Sequence, residues 1–383
     1  MRHQNSVFHS LTKHIPWSRF DRIVEKYGAD ELARKLTTKR QFIALLYGQF
    51  SGSTSLREIV SGMESHETRL YHLGAAAVRR STLSDANTIR PWQVFSELFG
   101  QMLEQAHRGL RRASKDAVRL IDSTTLRLSS LSDWAAFSTD FSGAKIHIVY
   151  DPKAELPVYF AVTPCKVNDI TSAKVMPIEA GATYVYDLGY YDYGWWAELD
   201  AAGCRFVTRL KKNTPLRVAH ENPVTGNSNI LSDRIGHLPQ RLARNRTNPM
   251  QEAVRELRVI NDAGKELRIV TNDLDSPAQE IAELYKQRWQ IELFFRWIKQ
   301  VLRIKHFIGI SENAVRIQIA VALIAFLILR LAAALQQAVR SPLEFARLVR
   351  ANLMHRRPLD RLLNTEQPLQ IAPNQLNLGL YFQ

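Results

Sequence analysis

Apolar residues recur at helical spacing through roughly the first 110 positions. Phe42, Leu45, Leu46 and Phe50 share one face, and Ser55 with Glu58 forms a capping box ahead of Ile59 and Val60. Pro91 suits the first position of a further helix that carries Val94, Phe95, Leu98, Phe99, Met102 and Leu103 on one side. Between these helices lies RRSTLSDANTIR, Arg79 to Arg90. It reads either as a turn and short helix offered to phosphates or as an ordinary connection.

The period shortens near residue 116. AVRLIDSTTL, KIHIVYD and PVYFAV are β-branched and aromatic runs divided by turn signals such as Asp151-Pro152, and they predict three successive strands. A helical segment near 170–178, a strand Thr183–Asp187, a helix around Trp195 to Ala202 and a strand RFVTRL follow. Three strands and then alternating helices and strands predict an α/β layer with a mixed sheet. From Lys211 to about Asn272 the alternation lapses. AVRELRVI and KELRIVT read as strands joined by the turn Asn261 to Gly264, after the basic run Pro239 to Pro249, so a mostly β insertion is expected. A long helix then starts from a cap at Ser276, with Pro277 first inside and Gln279 completing a capping box, and runs to about His306. An apolar helix over 314–338 and a basic helical tail finish the chain.

Composition narrows the class. The 383 residues are enough for two to four domains, and 45% apolar with 23% charged residues is globular. Only two cysteines, Cys165 and Cys204, exclude a disulfide-stapled scaffold and a Cys-rich zinc module, and fit a reducing compartment. The first residues show no apolar h-region. Ile319 to Leu329 is the most apolar stretch, but it falls short of the ~20 residues that span a bilayer, so a buried core helix is expected. The net charge is +14, and basic residues recur along the whole chain: Lys39 and Arg40, Arg79 and Arg80, Arg111 and Arg112, Arg241 to Arg246, Arg347 to Arg361. A distributed excess fits a broad surface lying along nucleic acid, and fits a solvated basic surface equally well.

The candidate chemistry begins with two acids expected at strand ends, Asp122 after VRLI and Asp187 after TYVY, where ligands of α/β sheets gather. Taking Tyr285 as the origin of a helical wheel, Arg288 falls at about 300°, Glu292 at about 340° and Lys299 at about 320°. Leu284, Ile291, Phe295, Ile298 and Leu302 fill the adjoining arc. One stripe can pack on the sheet while Glu292, flanked by cations, borders the strand ends. Spacing alone also fits a salt-bridge ladder. An anionic phosphodiester with a poor leaving group calls for two divalent cations roughly 3.5–4 Å apart, and hard cations take carboxylate oxygens. Asp151, Asp169 and Asp192 are further acids suited to capping a turn or helix, and Asp169 and Asp192 suit a place close to the site as well. Lys211, Lys212 and Asn213 suit either DNA contact or a solvated loop, while Lys145 and His147 sit on a strand, the latter as a sheet histidine. Neither a Ser-His-Asp elbow nor a phosphate-cradling Gly-rich loop occurs, so no ATP requirement is expected.

The run Tyr285-x-x-Arg288-x-x-x-Glu292 followed by Lys299 resembles the YREK signature of bacterial insertion-sequence transposases with a DDE active site. Asp187-Leu-Gly-Tyr190 resembles that group's second motif, Asp122 stands where its first catalytic Asp is expected, and RSTLSDAN resembles a segment preceding the catalytic domain. The resemblance implies an RNase H-like mixed sheet with flanking helices. The implied organisation is a helical region for DNA binding or dimer contact over 1–112, the first part of the catalytic core over 113–210, a β-rich insertion over 211–272, the final core helix over 273–310 and a helical region over 311–383. It implies that Asp122, Asp187 and Glu292 are catalytic and bind two Mg²⁺ ions, with Mn²⁺ able to substitute. Tyr285, Arg288 and Lys299 would contact phosphates. Trp289 matches an aromatic common in the signature and suits either stacking on a distorted terminal base or packing on the helix surface. The implied activity is binding of terminal inverted repeats and cut-and-paste transposition of double-stranded DNA, by a homodimer in the DNA complex, in the bacterial cytoplasm at the nucleoid, with no membrane. The rivals are an RNase H-like nuclease without strand transfer and a catalytically dead transposase acting as a regulator.

Overall fold

A computed structural model describes residues 5–110, 117–224, 229–242, 246–301, 307–335, 341–359 and 362. The N-terminal part is helical: α1 (Val7–Thr12), α2 (Trp17–Lys26), α3 (Thr38–Ser51), α4 (Leu56–Glu64), α5 (Glu67–Leu70), α6 (Arg80–Ile89) and α7 (Gln93–Leu110). The Ser55 hydroxyl accepts the Glu58 amide, but the Glu58 carboxylate turns back to the amide and hydroxyl of Thr54, so the expected box closes one residue earlier. Pro91 precedes α7 by two residues, because Val94 and Phe95 first close three-residue turns onto Pro91 and Trp92. Within the segment 79–90, Arg80–Ile89 form a short helix and not a plain connection. Its inner side is held by a buried polar network. Arg90 donates to Gln41 Oε1 and the Leu36 carbonyl, Gln41 donates to Asn87, and Asn313 donates to the carbonyls of Asn87 and Arg90.

The strands are β1 (Val118–Arg127), β2 (Ala136–Ser138), β3 (Phe141–Asp151), β4 (Leu156–Pro164), β5 (Thr183–Tyr186), β6 (Arg205–Arg209), β7 (Arg217–Asn222), β8 (Ile230–His237), β9 (Val254–Ile260) and β10 (Glu266–Thr271). All belong to one sheet. Its inner half runs β4-β3-β1-β5-β6, with β1, β3 and β4 antiparallel and β1, β5 and β6 parallel. Three antiparallel strands followed by two parallel ones in this order is the RNase H-like arrangement. β10 pairs antiparallel with β6, and β9, β8 and β7 follow outward, so the expected β insertion prolongs the main sheet instead of standing apart.

Two apolar cores flank the sheet. One lies under α8 (Asp169–Ala173) and α9 (Tyr193–Ala201) and is rich in rings: Tyr186, Tyr190, Trp195, Trp196 and Phe206. α8 is shorter than the expected 170–178 segment. The other core joins the opposite face to the N-terminal helices and to α10 (Ala278–Gln287), α11 (Trp289–Val301), α12 (Glu312–Ala334) and α13 (Pro342–Asn352). Every residue from Ile317 to Leu329 is buried, and α12 packs against α1, α3, α6, α7, α11 and α13. It is long and apolar enough to cross a membrane, yet protein covers all its sides, as expected of a core helix. Residues 336–338 of the expected helix, 302–306 of the preceding one and 363–383 of the tail lie outside the described residues.

The single long helix expected after Ser276 is two helices. α10 stops at Gln287 and α11 starts at Trp289, with three-residue bonds from Arg288 N to the Tyr285 carbonyl and from Ile291 N to the Arg288 carbonyl tightening the joint. Ser276 does not cap α10. Its hydroxyl donates to Asp273 Oδ2 at 2.6 Å, and Pro277 takes the capping position.

Candidate active site

The site grows out of a mismatch in strand length. β1 pairs with β5 only as far as Ile121 opposite Tyr186, but continues with β3 to Arg127 opposite Gly143. Asp122 is therefore not at a strand end, as the sequence suggested. It is the first residue of β1 beyond its parallel neighbour, opposite Ile148 of β3. The long antiparallel ladder, which sequence periodicity does not reveal, keeps the strand going. β5 turns away at Asp187, and a notch opens between the two carboxylates.

The Asp187 turn has a specific shape. Its Oδ1 accepts the Gly189 amide at 2.8 Å. A Cβ on Gly189 would stand 3.0 Å from that oxygen and 3.2 Å from Asp169 Oδ2, so a side chain there would crowd two carboxylates. Tyr190 is buried and packs near Tyr186 and Trp195, which anchors the turn in the ring-rich core. The spacing Asp-x-Gly-aromatic thus has a physical reason: acceptor, close approach, anchor.

Glu292 approaches from the first turn of α11. Arg288 connects it to the sheet, with Nη2 2.7 Å from Glu292 Oε1 and Nη1 3.7 Å from Asp122 Oδ2. The guanidinium lies 5.9 Å from the centre of the Tyr285 ring, and Nε is buried without a hydrogen-bond partner. Tyr285 is itself buried, and burial pushes its phenol up while the charges of Arg209 and Arg288 pull it down. Lys299 bonds the hydroxyl of Thr124, two residues beyond Asp122 on the same face of β1. Trp289 is 49% exposed with Arg296 5.7 Å from its ring centre, so it is displayed rather than packed away.

Burial dominates the electrostatics. It pushes the Asp122 carboxyl up to about 7; the Ser123 amide opposes this, Asp187 raises it further, Arg288 lowers it and Glu292 raises it. Asp122 thus feels both other acids, with the Arg288 charge opposing them. No three metal-binding side chains among the described residues already converge into a ready ion cage. Arg288 lies between Asp122 and Glu292 instead.

Asp169, one of the two acids expected to cap a turn or lie close to the site, opens α8 and accepts Ser123 Oγ at 2.8 Å and Lys145 Nζ at 3.1 Å, so it touches the residue next to Asp122. Other participants, Thr124 and Arg209, escaped the sequence reading; Arg209 ends β6, on the same sheet edge as Asp187, because β5 and β6 are parallel. The parallel pairing was the available signal. Asp192 only caps α9 and pairs with Lys174, and Asp151 caps a turn and pairs with Arg119. His147 is a sheet histidine bonded to Thr163. Lys211 lies over the Tyr191 ring.

Sheet order and carboxylates beside a parallel strand end define an RNase H-like protein. Comparison with known proteins carries the assignment further. The family model described as the transposase DDE domain matches residues 113–328, and a domain of unknown function, DUF4372, matches residues 3–76. The chain is 40% identical to the Sinorhizobium fredii protein described as transposase y4zB, over 76% of this chain and 81% of that one. It is 28% identical to a Geobacillus stearothermophilus protein described as a transposase for insertion sequence element IS5377, over 65% and 66% of the two chains. Among solved structures, a piggyBac transposase synaptic complex with hairpin DNA matches 96% of this chain and 83% of that one at 12% identity and a TM-score of 0.45, too distant a likeness to carry an argument. The chain belongs to the DDE transposase family. It is a DNA transposase, an enzyme of a family that normally works with divalent metal ions and acts on DNA.

Proposed function

We propose that Asp122, Asp187 and Glu292 are the metal-binding catalytic triad, and that this transposase binds the terminal inverted repeats of its own insertion sequence and moves it by cutting and joining. One observation carries the reading: a half-buried Asp122 carboxyl that feels the charges of Asp187 and Glu292, with Arg288 bonded to Glu292 and 3.7 Å from Asp122. The donor set fits a hard divalent cation, because it offers carboxylate oxygens and a local excess of negative charge. Two Mg²⁺ ions there, or Mn²⁺ in their place, would supply activation of the attacking oxygen and charge stabilisation of the leaving one.

The chain's own residues supply the rest. Arg288 offers a planar fork, suited to hold a phosphate in two hydrogen bonds, while Lys299 beside β1 acts as a point charge further along the strand. The Tyr285 ring braces Arg288 from below. Trp289, being exposed, is available to stack on a base. The helical region over 1–112 grips DNA, two protomers meet on the paired ends, and the protein works in the bacterial cytoplasm at the nucleoid without ATP.

The test is cleavage of the element's own ends. Wild type should cut in Mg²⁺, while Asp122→Asn, Asp187→Asn and Glu292→Gln should lose about 10³-fold or more, the scale on which single charge-stabilising groups act. Binding of the ends should persist in all three. Full activity in any variant removes that residue from the triad. Pre-cut ends with free 3′-hydroxyls should give joined products; cutting without joining would favour the nuclease reading, and binding without cutting the regulator.

A further inference from the structure

On the face of β1 opposite α11, a fourth carboxylate stands against the residue next to Asp122. Asp169 is 23% exposed at its side chain, and its Oδ1 carries two hydrogen bonds. Oδ1 accepts the Ser123 hydroxyl and the Lys145 ammonium. Oδ2 faces the Asp187 turn, 3.2 Å from the point where a Gly189 Cβ would sit. Ser123 is held from two sides, since its amide donates to Asp122 Oδ1 at 2.8 Å while its hydroxyl donates to Asp169. Lys145 also donates to the Val167 carbonyl, which fixes the loop that delivers Asp169. His147, 3.8 Å from Asp169 Oδ1, is pushed down to about 4 by burial, so it adds no charge at neutral pH.

We infer that Asp169 is a positioning residue for transposition: through Ser123 it fixes the rotation of the Asp122 carboxylate, and through its contact with the Gly189 turn it sets the separation of Asp122 from Asp187. This rests on the triad proposed above. Parallel pairing of β1 and β5 ends one residue before Asp122, so no backbone ladder ties the two acids together. Asp169 supplies that tie from α8. Its own charge is matched by Lys145, so it does not join the three acids as a further uncompensated carboxylate. Outer hydrogen-bond partners of ligating carboxylates commonly govern metal affinity by 10–100-fold, about the size of effect required here.

The experiment is Mn²⁺ binding to the full chain without DNA, read from loss of the free-ion EPR signal. Asp169→Ala should weaken Mn²⁺ by about tenfold or more, and Ser123→Ala should do the same. Asp169→Asn keeps an acceptor for the Ser123 hydroxyl and should recover at least half of that loss on a logarithmic scale. The metal-free unfolding midpoint and binding of the terminal DNA should stay near wild type. Wild-type affinity in Asp169→Ala, or Asp169→Asn as weak as Asp169→Ala, overturns the inference alone. So does a drop in stability and DNA binding that parallels the metal defect, since the role would then be structural. A wild type that binds no Mn²⁺ overturns the triad and this inference together.

Discussion

Two arginine–carboxylate sites in this molecule, one buried and one half-buried, are built to different standards. In the outer half of the sheet, Arg255 meets Asp233 with two parallel bonds of 2.8 and 2.7 Å and gives its remaining donor to the carbonyls of Leu274 and Ser276. Both side chains are buried, and Asp233 holds the Arg255 guanidinium in its charged form by direct bonding. In the notch, Arg288 makes one close contact and one loose one, leaves Nε unpartnered, and stands beside an acid that burial pushes up to about 7. The first pair is closed and fixes the loop leading into α10. The second is left incomplete, and an incomplete charge set is what a site needs if ions and phosphates are to finish it.

The contrast is open to direct attack. Arg255→Ala would leave Asp233 buried and unpaired, which should cost about 3–5 kcal/mol in chemical unfolding, and pairing it with Asp233→Leu should restore most of that. Arg288→Ala, by comparison, should leave stability within about 1 kcal/mol, because Asp122 can take a proton in compensation. Equal losses in the two variants would erase the distinction.

His147 provides an intermediate case, a buried ionisable group whose desolvation outweighs the attraction of Asp169, 3.8 Å away. Its folded value of about 4 lies below the ordinary 6.5. The stability it contributes is complete above about 6.5 and is lost as pH falls toward 4, by up to on the order of 3 kcal/mol. His147→Gln should therefore flatten the metal-free unfolding profile over that window; an unchanged acid limb would show that the imidazole is not the group responsible. The smallest effect is expected from Arg288→Lys, which keeps the charge and loses the fork: cutting should fall about tenfold with stability unchanged. Undiminished cutting would show that charge alone suffices.

Much of this molecule was legible in its residues, and the parts that were not share a cause. The strands β1, β3, β4, β5 and β6 announced themselves through β-branched and aromatic runs, while the short β2 did not, and Asn261 does shape the hairpin turn, accepting the amides of Ala263 and Lys265 around Gly264 at φ +75°. What remained hidden depends on partners distant in sequence. The continuation of β1 past Asp122 needs β3, and the joining of the outer strands to the core needs β6 against β10. The exposed strand β7 lacks an apolar face to betray it. At the site, wheel geometry put Arg288, Glu292 and Lys299 on one arc, and they do line the same side of β1, but the break at Arg288 was invisible because every residue around it is a sound helix former. Asp169 looked like one more cap, since its contacts come from β1 and β3.

One feature of the architecture bears on how the parts of the chain move together. α12 is the spine of the N-terminal helices and also packs on α11, which carries Glu292, and Asn313 at its start is stapled to the end of α6. The N-terminal helices and the helix that brings Glu292 to the sheet thus share a single beam. If those helices hold DNA, as proposed above, a protomer seizing one end of its element sets the bearing of its three acids in the same act.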